Sequence, residues 1–128
     1  MSYYFNKVLG ISFEAAVKRV TEELKKEGFG VLTEIDVTGA LKKKLDVDFR
    51  KYRILGACNP KFAYKALLEE DKIGTMLPCN VIVQQRPDGK IEIAAVDPVA
   101  SMQAVKNESL GEIALAVQSK LKKVIEST

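Results

Sequence analysis

The segment from Cys79 to Val96 constrains the fold more than any other. Cys79 to Gln85 and Lys90 to Val96 alternate in polarity: Val81 and Val83 share one face while Asn80 and Gln84 share the other, and Ile91 and Ile93 oppose Glu92. Between the two runs, Pro87-Asp88-Gly89 supplies a proline that fixes φ and a glycine able to take the positive φ of a tight turn. A hairpin with one wet face belongs to an antiparallel sheet covered by helices on its other side. A doubly wound parallel sheet would make its central strands apolar on both faces.

The rest of the chain supplies matching parts. Tyr3 to Leu9 is rich in aromatic and β-branched residues and reads as a strand. Ser12 can cap a helix over about Phe13 to Glu27, with Phe13, Ala16, Val17, Val20 and Leu24 at helical spacing and Gly28 as the stop. Its outer face carries Glu14, Lys18, Glu22 and Lys26 as a ladder of i,i+4 pairs. Val31, Ile35 and Val37 share a parity opposite to Glu34 and Asp36, the pattern of a half-buried strand. Thr38 to Leu45 reads as a connector, with one or two helical turns packed by Leu41 and Leu45 as the alternative. From about Arg50 to Cys58 a strand places Tyr52, Ile54, Gly56 and Cys58 on one face and Arg53 and Leu55 on the other. Asn59 as cap and Pro60 as first helical residue open a helix to Glu70, with Phe62, Ala63, Ala66 and Leu67 inward. A last helix, Leu110 to Glu126, carries a long apolar stripe that must cover the sheet. Residues 1–128 therefore read as a single α+β domain with an antiparallel sheet and helices on one face.

Composition enters through what it excludes. Lys+Arg of 20 against Asp+Glu of 17 leaves a net charge of +3, which fits neither a disordered polyelectrolyte nor a strongly basic nucleic-acid binder. The densest basic stretch, Lys42 to Lys44 with Arg50, Lys51 and Arg53 beside Tyr52, is interrupted by Asp46 and Asp48 and reads as ordinary surface. No apolar run approaches the roughly 20 residues of a membrane span. The opening residues, Tyr3-Tyr4-Phe5-Asn6-Lys7, lack the order of a signal peptide, so the expectation is a soluble cytoplasmic protein with no membrane and no nucleic-acid partner. There is no histidine, which removes the commonest general base and the imidazole metal ligand. With two thiols as the only soft donors, a closed zinc site within one chain is not expected.

The candidate chemistry gathers at two Cys-Asn pairs, Cys58-Asn59-Pro60 and Pro78-Cys79-Asn80. Each lies at the edge of an expected strand, and antiparallel pairing would bring them together. Adjacent, accessible thiols could cycle between dithiol and disulfide. The more economical reading turns both sulfurs toward the core, since Cys58 shares the parity of Ile54 and Cys79 that of Val81. The helix entrance at Asn59 and Pro60 is a possible anion seat, with Lys61 as the nearest cation. Asp97, before Pro98, is a candidate carboxylate, although Asp-Pro more often ends a strand. Asn107-Glu108-Ser109 reads as a loop leading into the final helix, and no glycine-rich phosphate loop is present.

Tyr52 to Pro60, Ile73-Gly74, Leu77-Pro78-Cys79-Asn80-Val81 and Val96-Asp97-Pro98 together resemble the domain-of-unknown-function family 302 across nearly the whole chain. The resemblance implies a compact α+β domain with an antiparallel sheet, similar in outline to the TATA-binding-protein-like class, and a tendency to form homodimers. It implies no reaction and no catalytic roles. The family's signature residues fall on Cys58, Asn59, Pro60, Pro78, Cys79, Asn80, Asp97 and Pro98. Three functional readings stand at this point: a module binding a small molecule or anion at the sheet edge near Cys58, Asn59, Cys79 and Asn80, a thiol redox enzyme or sensor using Cys58 and Cys79, and a purely structural dimerisation domain.

Overall fold

The computed structural model describes residues 2–128, and Met1 lies outside them. The chain runs through β1 (Tyr4–Leu9), α1 (Phe13–Lys26), β2 (Gly30–Asp36), α2 (Val37–Leu45), β3 (Tyr52–Cys58), α3 (Pro60–Glu69), a 3-10 segment (Asp71–Met76), β4 (Cys79–Gln85), β5 (Ile91–Val96), α4 (Pro98–Ser101) and α5 (Ser109–Ser127). All five strands join one sheet in the order β1-β5-β4-β3-β2, and every neighbouring pair is antiparallel. The α+β expectation holds, and the hairpin of β4 and β5 lies at the centre of the sheet. Its turn is closed by Gly89 N–H donating to Arg86 O at 2.9 Å, with Gly89 at φ 85°.

Helices α1 and α5 cover one face. Ser12 Oγ accepts from Ala15 N at 3.1 Å to start α1, which buries Phe13, Ala16, Val20 and Leu24 and stops at Gly28 with φ 87°. Those residues meet Val81, Val83 and Ile93 from the sheet and Val117, Leu121 and Val124 from α5 in one core. A smaller cluster of Ala66, Ile73 and Leu110 joins α3 and the 3-10 segment to α5.

Four local expectations are corrected. The bulge in β2 is the first: Val31 pairs with Ala57, but the next matched residue, Thr33, pairs with Gly56, so Leu32 is an extra residue. Val31 therefore packs toward the core while Ile35, opposite Ile54, stands on the uncovered face, and the two do not share a side. Second, Val37 to Leu45 is a helix rather than a connector. Asp36 caps it by accepting from Gly39 N at 3.1 Å, yet it has no buried residue, so it carries no apolar stripe to announce itself. Third, the α1 ladder is replaced by Lys26 to Glu23 at 2.7 Å and by Glu14 reaching Arg53 at 3.7 Å. Arg53 also takes Glu34 at 3.2 Å, because a forked guanidinium fixed on a strand gathers carboxylates better than a mobile lysine. Fourth, Leu67 of α3 is exposed, since α3 packs chiefly through Ala66.

Candidate functional site

The register of β3 and β4 decides the fate of the two Cys-Asn pairs. Ala57 lies opposite Cys79 and Gly56 opposite Asn80, so the two motifs do meet at one sheet edge. Cys58, Asn59 and Cys79 line one small space, whereas Asn80 faces another. Cys79 takes the core face with Val81 and Val83 and is 8% exposed. Cys58 ends β3 half-buried, with Ala57 rather than Cys58 occupying the core position, which corrects the expectation that both thiols point inward. Both cysteines are free and border a small apolar space of about 30 Å³ among α3, α5 and the strand ends, enough for little more than one water. Burial, reinforced by the nearby Cys58, pushes the Cys79 thiol up to about 11, so it stays protonated at neutral pH. Burial and the raised thiol pKa both work against thiolate chemistry at Cys79.

The remaining edge residues have structural partners. Asn59 is buried and does not cap α3; its Nδ2 donates to Glu27 O at 3.2 Å and ties the end of α1 to the start of α3. Pro60 holds the first helical position, as expected. Asp97 Oδ1 accepts from Val99 N at 3.0 Å and from Gln118 Nε2 at 3.1 Å, so the candidate carboxylate caps α4 and fastens it to α5. Asn107 Nδ2 donates to Glu69 O at 2.9 Å while its Oδ1 accepts from Ser109 N, which settles its place as a joint before α5.

Asn80 faces the other way, and it leads to the larger feature. The sheet face not covered by helices carries a depression of about 440 Å³ lined by Tyr3, Tyr4, Tyr52, Asn80, Ile82, Gln84, Glu92, Ala94 and Val96. Register explains the assembly: Tyr4 opposes Val96, Ile82 opposes Ala94, and Gln84 lies between Tyr52 and Glu92. Ala94, 9% exposed although it belongs to neither core cluster, forms the low point where a larger residue would fill the space. A polar chain crosses this face. Arg50 Nε donates to Gln84 Oε1 at 3.0 Å, Gln84 Nε2 donates to Glu92 Oε1 at 3.0 Å, and Asn6 Nδ2 donates to Glu92 Oε2 at 2.8 Å. Arg50 stacks over Phe49 and Tyr52, with 4.4 and 5.5 Å to the ring centres.

Outward parity of Asn80, Gln84 and Glu92 is visible in the sequence, but their convergence with Tyr3, Tyr4 and Tyr52 is not. It depends on β1 lying beside β5 and β3 beside β4. The one local hint is that Ile82 and Ala94 are apolar on a face otherwise expected to be wet.

A second depression of about 440 Å³ lies between α1, α2 and the start of β3. Two of its cations are already paired, Lys42 with Asp46 at 3.0 Å and Arg53 with Glu34 at 3.2 Å, while Lys51 lines it without an ion pair among the described residues. Among the described residues, no three Cys, Asp or Glu side chains converge in a way that could hold a metal ion, and no helix is long and apolar enough to cross a membrane.

A family model for the domain of unknown function DUF302 matches residues 5–128. The chain belongs to the DUF302 family. Among solved structures, the crystal structure of an uncharacterized conserved DUF302 protein from Bacillus stearothermophilus is similar at a TM-score of 0.91 and 30% identity, covering 98% of each chain. No curated protein matches. DUF302 membership accounts for the fold and for the block from Tyr52 to Pro98 that carries the resemblance. Fold does not specify activity, which has to be argued from the surface of this chain.

Proposed function

We propose that this DUF302 chain is a ligand-binding module whose seat is the depression on the uncovered face of the sheet. The observation that carries the reading is the contrast in size and lining. The space beside Cys58 and Cys79 is about 30 Å³ and apolar, whereas the open-face depression is about 440 Å³, within the roughly 300–1,000 Å³ range of small-molecule sites. Tyr3, Tyr4 and Tyr52 offer rigid amphipathic rings, Ile82 and Ala94 an apolar floor, and Asn80, Gln84 and Glu92 convergent polar groups. Of the edge residues suggested by sequence, Asn80 belongs to this seat. Cys58, Asn59 and Cys79 line the small apolar space instead, Pro60 opens α3 and Asp97 caps α4.

Native mass spectrometry on protein purified under reducing, non-denaturing conditions tests the reading, with Ala94→Phe as the comparison. The phenyl ring would enter the depression rather than the core. A mass excess on the wild type that denaturation removes and Ala94→Phe lacks is the expected result. An excess kept in full by Ala94→Phe would put the ligand elsewhere and sink the proposal.

The homodimer and the cytoplasmic setting belong to the same proposal. A second copy would meet the chain most readily along β2, an edge strand with Leu32 and Ile35 exposed. Two free cysteines suit a reducing compartment. Sedimentation equilibrium that finds only monomer at high concentration would remove the dimer without touching the seat.

A further inference from the structure

Taking the open-face depression as the ligand seat, we infer that its ligand carries an organic cation, an ammonium or guanidinium group held against Glu92 with its apolar part over Ile82 and Ala94. The argument begins with charge. Glu92 lies on the β5 strand near the middle of the sheet, half-buried, with its carboxylate inside the depression. Its two oxygens each accept one hydrogen bond from a neutral amide, Asn6 at 2.8 Å and Gln84 at 3.0 Å. A carboxylate offers about four acceptor positions, so both oxygens retain capacity. Among the described residues, no Lys or Arg lies within ion-pair distance of Glu92, although the chain as a whole is positive by 3.

The amides hold the carboxylate in place without neutralising it. Arg50, the cation of the same chain of hydrogen bonds, reaches only Gln84 Oε1 and is occupied by stacking on Phe49 and Tyr52. By accepting from Arg50, Gln84 is turned so that its NH₂ faces Glu92. The whole chain thus orients one unneutralised negative charge. An anionic ligand would meet that charge in the lining of the seat.

The tyrosines strengthen the assignment. Tyr3 and Tyr4 stand at the rim with ring centres 5.0 Å apart and planes at 75°, and Tyr52 lines the opposite side. Aromatic faces attract a partly desolvated cation, most strongly for alkylammonium and guanidinium groups. A metal ion is a poor fit, because a hard divalent cation wants several oxygen ligands and one carboxylate supplies too few. A carboxylate, aromatic rims and an apolar floor are complementary to a cation that carries hydrocarbon.

The test uses three probes of one shape, 2-phenylethylammonium, 2-phenylethanol and 3-phenylpropanoate, titrated into ¹⁵N-labelled protein. The expected result is that 2-phenylethylammonium shifts the amides of Gln84, Glu92, Ala94 and Tyr4 and binds roughly tenfold more tightly than the other two. Glu92→Gln should abolish that preference, read as the ratio of ammonium to alcohol affinity in the same variant. Tyr4→Leu, which keeps an apolar side chain at an exposed position of β1, should weaken the ammonium more than the alcohol. Equal binding of all three probes, or a preference for 3-phenylpropanoate, overturns the cation inference and leaves the seat standing. If no probe shifts open-face amides while those amides respond to protein concentration alone, a second copy covers the face and both readings fall. If no probe shifts them and protein concentration does not either, both fall as well.

Discussion

At the scale of single residues, two positions show how tightly the strand ends are fitted. A Cβ on Gly56 would lie 2.9 Å from Pro78 Cγ and would collide with Thr33 Oγ1. The threonine can rotate away, but the proline ring cannot. Gly56→Ala is therefore expected to lower stability by about 1–3 kcal/mol in urea denaturation, and Thr33→Ala should not rescue it. Cys79 makes a prediction in pH. Its thiol ionises near 9 when unfolded and near 11 when folded, so unfolding releases a proton between those values and stability falls as pH rises from 9 to 11. The loss attributable to this group is on the order of 3 kcal/mol. The contribution is fully present below pH 9. Denaturation curves at pH 8 and pH 10.5 should differ less for Cys79→Ala than for the wild type. Native alkylation with iodoacetamide should mark Cys58 first and leave Cys79 unmodified until the chain unfolds.

Individual elements differ in how they are held, and that difference also governs what could be read from sequence. Helix α2 is attached by its cap and by Thr38, whose Oγ1 donates to Arg50 O at 2.7 Å and accepts from Tyr52 N at 3.0 Å. Asp36→Ala should raise amide exchange across Val37–Leu45, corresponding to about 1 kcal/mol, with little change in the global melting temperature. Elements with a periodic buried face were legible: α1, α5 and the β4–β5 hairpin follow their 3.6 and 2.0 repeats almost residue for residue. Helix α2 was not, because Leu45 and its neighbours bury nothing. In β2 the alternation misleads, since counting parity assumes a constant register and Leu32 breaks it. Cys58 was misplaced for a related reason: parity was counted correctly, but the buried face of β3 belongs to Leu55 and Ala57. The open-face seat was half legible. Asn80, Gln84 and Glu92 could be seen to point outward, whereas Tyr3 and Tyr4 arrive through a pairing that no local pattern announces.

For the molecule as a whole, stability is concentrated where the central strands lie beneath α1 and α5. Strands β4 and β5 each have partners on both sides, while β1 and β2 form the edges. Native-state hydrogen exchange should find β4 and β5 exchanging only through global unfolding, and β2 with α2 through local opening. Leu121→Ala, which removes a fully buried side chain between α5 and the sheet, should cost about 2–5 kcal/mol. That loss should appear in β4 and β5 and leave exchange in α2 unchanged. Uniform loss of protection in both regions would show that the molecule opens as one unit.

The sheet order has a temporal meaning as well. Tyr4 pairs with Val96, so on the ribosome the first strand made has no partner until the last strand has emerged. Strands β2 to β5 can assemble in order of synthesis, each against the one before it, and β1 then closes the far edge. Helix α5, made after all five strands, supplies Val117, Leu121 and Val124 to the core. Until it leaves the exit tunnel, the apolar face of the nascent sheet is only partly covered, and this is the stage at which the chain is most exposed to chaperones and to other copies of itself.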